Sequence, residues 1–180
     1  MQLLNHVVST IDALNEGVGR LTSWLVLVMV LSVIFTVITR YFFPSFSTGS
    51  VAIQELQWHL FSLTFLLGAA YTFKHDEHVR VDIFYQHRRV TDRQRAWINI
   101  FGNLLFLIPF CLLIIFSSWD FVKMSYQFNE GSPDAGGLPY RFLLKIAIPL
   151  GFILLMLQGI ADTIRQLLYL FGQSTRNLEK

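Results

Sequence analysis

Eighteen consecutive residues, Leu56 to Phe73, contain no Asp, Glu, Lys or Arg. Wound as a helix at 1.5 Å per residue, the run is roughly 27 Å long, close to the hydrocarbon thickness of a bilayer. It is not uniformly apolar. Glu55, Gln57 and His59 stand at its start, and Thr64, Gly68 and Thr72 recur every fourth residue. That spacing puts three small residues on one stripe, which lets a second helix approach closely where lipid supplies no hydrophobic drive. The run ends in a dense polar elbow, KHDEHVRVD (74–82).

Three further apolar stretches set the class. Of the 180 residues, 53% are hydrophobic and 14% charged, well below the roughly 25% charged residues usual in soluble chains. Spans are expected at about 21–39, 56–73, 97–119 and 142–160. The expected fold is all-α: one membrane domain over residues 1–180 with four transmembrane helices. In residues 1–20, Leu3, Leu4, Val7, Val8, Ile11, Leu14 and Val18 share one helical face, continued by Leu21. Asn5, Ser9, Asp12, Asn15, Glu16 and Arg20 take the other, the pattern of an amphipathic helix lying in the interface or of a simple extension of the first span. No basic leader with a small-residue cleavage site opens the chain. Thr91 with Gln94 three residues on is a capping-box pattern, so the third helix should start there. Asn99, Gly102, Asn103 and Phe106 share a face of that helix, and Pro109 should kink it. Residues 120–141 form the longest outer loop, with GSPDAGG as its turn signal.

Four spans put both termini on one side. That side holds ten of the Lys and Arg residues and the other four, which favours cytoplasmic termini by the positive-inside rule. Arg40 and Glu55 then stand at the same outer level. Ionisable groups there must pair or reach the headgroups, so the two either bond to each other or to a partner subunit, or both snorkel. His59, the single histidine within a span, reads as a haem ligand or proton relay, or more simply as a neutral histidine packed between helices. Asp162 has Arg165 one turn on as its expected partner. His75 and His78 stand three apart, not the four of a zinc-protease helix. No metal and no cofactor is expected, no nucleophile motif or phosphate loop is present, and the chain does not read as an enzyme or a nucleic-acid binder. The single Cys111 allows no internal disulfide.

The residues Arg40-Tyr41 after the first span, Glu55 opening the second, Gly68-Ala69-Ala70 late in it, and His78-Val79-Arg80-Val81-Asp82 beyond resemble a known family. It is the small membrane subunit, DctQ type, of tripartite ATP-independent periplasmic transporters. Leu138-Pro139-Tyr140-Arg141 before the last span is similar too. The resemblance implies a chain in the cytoplasmic membrane of a bacterium or archaeon. A periplasmic binding protein would deliver an organic acid to a large membrane subunit driven by sodium. Sodium would bind that partner, not this chain, which would brace it. Candidates for contact with the large subunit or lipid are Arg40, Glu55, His59, Thr64, Gly68, Thr72, His78, Arg80, Asp82, Asn99 and Asn103. Candidates for docking the binding protein are Ser47, Glu130, Asp134, Tyr140 and Arg141, on the loops around 45–54 and 129–140. The competing reading is a four-helix membrane-anchor cytochrome b subunit, which needs two axial ligands at matching depth on facing helices.

Overall fold

The computed structural model describes residues 2–42, 50–77 and 91–171. All regular elements among them are helices: α1 (Gln2–Phe42), α2 (Ser50–Lys74), α3 (Asp92–Gly102), a π-turn (Asn103–Leu107), α4 (Ile108–Gln127) and α5 (Phe142–Leu170). The capping box is present in part. The Thr91 amide donates to Gln94 Oε1 at 3.0 Å, and α3 begins one residue later. At the far end of α2, Asp76 takes φ 60°, and the Glu77 amide reaches back to the Thr72 carbonyl at 3.1 Å. This is a Schellman ending, with Asp among the few residues that tolerate the left-handed conformation.

Pro109 does not break the third rod. It follows the π-turn, in which the Ile108 amide bonds the Asn103 carbonyl. Widening the helix by one residue absorbs the clash and the missing donor that proline brings to a helix interior. α3, the π-turn and α4 therefore form one 36-residue rod.

What is buried inverts the pattern of a soluble protein. The largest fully buried side chains are Gln158, Asn15, Cys111 and Ser125, while Phe35, Phe61, Phe65, Phe106 and Phe116 all face outward. Lipid tails are as apolar as leucine, so helices gain by sending bulky residues to lipid and packing small and hydrogen-bonded ones together. α5 is the centre, packing against every other helix. Its Gly151 is one reason. A Cβ there would sit 2.5 Å from the Leu66 carbonyl oxygen of α2, so only glycine lets the two backbones come this close.

Among the described residues, three helical rods are long and apolar enough to cross a membrane: α1, the Asp92–Gln127 rod and α5. α2, the second expected span, is a 25-residue helix, but Gln57 and His59 make it less apolar than the others. The N-terminal segment is no separate element. It runs without a break into the first span as a 41-residue helix, roughly 61 Å long. Its polar face also points the other way from a soluble amphipathic helix. Asn15, Gly19 and Thr22 are buried and Asp12 and Glu16 partly so, whereas Leu3, Leu14 and Leu21 are exposed.

Candidate functional site

The two faces read separately from the sequence line one cleft. Thr64, Gly68 and Thr72 of α2 form one wall, and Asn99, Gly102, Asn103 and Phe106 of the third rod form the other. Leu155 and Asp162 of α5 lie at the floor, and the cleft holds about 1100 Å³. The Thr64 and Thr72 hydroxyls donate to the Leu60 and Gly68 carbonyls at 2.9 and 3.0 Å. That satisfies them within their own helix and leaves a smooth wall of methyl and methylene groups. At the floor, Asn103 Nδ2 donates to Asp162 Oδ2 at 2.9 Å. Asn103 opens the π-turn, so the same distortion that accommodates Pro109 helps aim this amide at α5. Asp162 also meets Arg165, at 4.0 Å, but the guanidinium lies nearer Asp12 on α1, at 2.7 Å.

A polar knot closes the end of the bundle where α2 begins. Glu55 is 4% exposed. Its carboxylate accepts from the Ser132 hydroxyl and from the Leu138 amide at 2.5 Å, with an Arg141 nitrogen 3.9 Å away. Arg141 lies over the Trp58 ring at 5.5 Å. Gly137 has Glu55 Oε2 2.6 Å from where a Cβ would stand, so the loop touches the carboxylate with its bare backbone. Glu130 bonds Lys145, whose ammonium also sits 3.8 Å from the centre of the Phe121 ring. The hydrogen bond from Lys145 holds the Glu130 carboxyl below its ordinary value. The Glu130 carbonyl accepts from the Arg141 amide at 2.9 Å. Asn129, Gly136 and Tyr140 all take positive φ, so this loop has one defined path.

Of the alternatives open for Arg40 and Glu55, a bond between the two is not made. Arg40 is exposed at the end of α1, and Glu55 has its partners on the loop before α5. His59 packs on Trp58 with 4.1 Å between ring centres, and its Nδ1 lies 2.6 Å from the Glu55 carbonyl oxygen. A carbonyl only accepts, so that nitrogen carries the hydrogen. Among the docking candidates, Glu130 and Arg141 are turned inward to hold the loop, and Asp134 and Tyr140 are exposed. Ser47, His78, Arg80 and Asp82 lie outside the described residues.

A second knot, at the opposite end of the bundle, was not read from the sequence. Asn15 and Gln158 are 0% exposed, and Asn15 Nδ2 donates to Gln158 Oε1 at 2.6 Å. Gln158 Nε2 donates to Asp12 at 3.0 Å. Lys74 bonds Glu16 at 2.7 Å and the Asp12 carbonyl at 3.2 Å, and His75 lies 3.3 Å from Glu16. The signal available in the sequence was Asp12, Asn15, Glu16 and Gly19 at helical spacing, matched by Gln158, Asp162 and Arg165 on the last helix. The knot ties α1 to both α2 and α5.

Bulky residues outward, polar knots inward and three long apolar rods define a multi-pass helical membrane protein. Residues 29–168 match the family described as tripartite ATP-independent periplasmic transporters, DctQ component. The chain belongs to that family, and is therefore a transporter's membrane component. No curated protein matches it.

Proposed function

We propose that the chain is the small subunit that braces a larger membrane carrier. The carrier is sodium-coupled and imports an organic acid delivered by a periplasmic binding protein. On this reading all four rods cross the cytoplasmic membrane with both termini inside. A helix of the large subunit packs into the cleft, and the cross-braced outer loop meets the binding protein. The observation that carries the reading is the cleft. Small and polar residues from α2 and the third rod stand on its walls, which enclose about 1100 Å³. Spans that faced only lipid would have no use for such a surface.

The mechanism is mechanical: a fixed body against which the carrier's moving part slides. The test is to fill the cleft. With the large subunit co-expressed, Thr64→Trp should reduce co-purification while the chain still inserts in the membrane, and a cysteine at Thr72 should cross-link to the large subunit. Undiminished co-purification of the tryptophan variant, with no cross-link, would move the interface elsewhere. Orientation is tested separately. A reporter fused after Lys180 should be active only if it works in cytoplasm.

A further inference from the structure

The exposed surface of the first half of α1 is divided lengthwise. At 100° per residue, Leu3, Val7, Leu14 and Leu21 fall on one flank and Asn5, Ser9, Glu16 and Arg20 on another, roughly 150° away. Between them, on the inner side, runs the buried line of Asn15, Gly19 and Thr22. Leu14 is 47% exposed and the Arg20 side chain 79%. The polar residues nearest the buried line, Asp12, Asn15 and Glu16, already bond to α2 and α5. The apolar flank is therefore left outward while the inner polar groups are satisfied within the bundle. It is also continuous with lipid-facing surface, because Leu21 is both its last member and the first residue of the apolar run that ends at Thr39.

We infer that α1 crosses the inner membrane boundary strongly tilted, with the flank of Val7, Leu14 and Leu21 on its underside against lipid and that of Ser9 and Arg20 in water. The occupant of the apolar flank is lipid. A protein partner wrapped round this half would bury the polar flank too, and a helix standing clear in water would leave a row of large aliphatic side chains wet. Because α1 has no break, the whole helix leans. Standing upright, Leu3 would lie roughly 27 Å beyond Leu21 along the membrane normal, far outside a headgroup layer about 5–8 Å thick. At a tilt of about 40° the stretch from Leu14 to Phe42 still crosses roughly 32 Å, and Val7 lies about 8 Å beyond Leu14, at the headgroups. The knot of Asp12, Asn15 and Gln158 then sits at headgroup level, where Arg20 and Lys74 find phosphate and water.

The inference rests on the chain spanning a membrane, not on which partner it braces. The experiment uses the assembled transporter in lipid nanodiscs. Nitroxide labels are placed singly at Val7→Cys, Ser9→Cys, Leu14→Cys and Arg20→Cys, and collisions with dissolved oxygen are compared with those of a water-soluble nickel chelate. The ratio should favour oxygen at Val7 and Leu14 and the chelate at Ser9 and Arg20, alternating with the helical period. Chelate dominance at all four positions would mean that this half stands in water. Protection of Val7 and Leu14 from both reagents would mean that a protein covers the flank, and either result overturns the inference. Should a variant fail to assemble, the wild-type chain answers through a photoactivated carbene reagent dissolved in the lipid tails. Mass spectrometry should find label on Leu14 and none on Ser9; the reverse rejects the lipid assignment.

Discussion

Replacing Gln158 tests whether the knot of Asp12, Asn15 and Gln158 holds the bundle together. Gln158 gives and receives: Oε1 accepts from Asn15 and Nε2 donates to Asp12. Gln158→Leu strands the Asn15 amide hydrogens at a site with no solvent exposure. A buried donor left without a partner costs about 1–3 kcal/mol. Asp12 loses one donor but keeps Arg165 at 2.7 Å, which adds about 0.5–1 kcal/mol. The total for Gln158→Leu is therefore about 1.5–4 kcal/mol. Asn15→Leu should cost less, about 1 kcal/mol, because it also removes the Asn15 Oδ1 atom, which is buried without a partner, and so offsets part of its loss. The double replacement leaves neither end stranded and should cost less than the two singles together by about 1–2 kcal/mol. Hydrogen bonds between membrane helices average about 0.6 kcal/mol and reach about 1.7, and a 2.6 Å bond with both residues fully buried belongs at the upper end. Reversible unfolding in mixed micelles, followed by circular dichroism as the ionic detergent fraction rises, measures all four free energies. Single effects that add within about 0.3–0.5 kcal/mol would show that the pair is not coupled, and the reasoning about the knot would fail.

Three other outcomes follow from the geometry. Gly151→Ala forces a methyl group against the Leu66 carbonyl and should cost about 1–3 kcal/mol in the same assay, as overpacked cores do; a neutral result would mean that α2 and α5 can part without penalty. Lys145 depresses the Glu130 carboxyl from its reference value of 4.5, so the hook between them is intact above that value and is lost as pH falls through the lower folded value. A spin label at Asp134 should accordingly gain mobility only below about pH 4.5. In Lys145→Met that acid step should disappear, and an unchanged step would assign it to another group. The cytochrome reading makes the opposite spectroscopic claim to ours: protein purified with haem available should show no Soret band, and a stoichiometric band would revive it.

Legibility in the sequence followed the range of the interaction. Thr91 and Gln94 are three residues apart, so the start of α3 could be read directly. The stripe of Thr64, Gly68 and Thr72 and the face of Asn99 and Asn103 were each legible from helical spacing. That they line the same cleft was not, because α5 brings them together. Glu55 shows the limit most plainly. Its acceptor bond to Leu138 joins residues 83 apart, whereas sequence proximity offered only Arg40 as one of several partners. The knot between α1 and α5 was hidden for a different reason. Asp12, Asn15 and Glu16 form a polar face that in a soluble protein would meet water. Beside lipid the preference reverses, and polar groups turn inward to find one another. Pro109 fell between the two cases: its disturbance could be foreseen, but the π-turn that relieves it depends on the backbone around Asn103.

The central claim is that this chain braces a carrier and moves nothing itself. Uptake of a labelled organic acid into sodium-loaded and sodium-free liposomes tests it directly. The chain reconstituted alone should give no uptake under any sodium gradient, and adding the large subunit with its binding protein should restore it. Substrate accumulation by the chain alone would contradict the account.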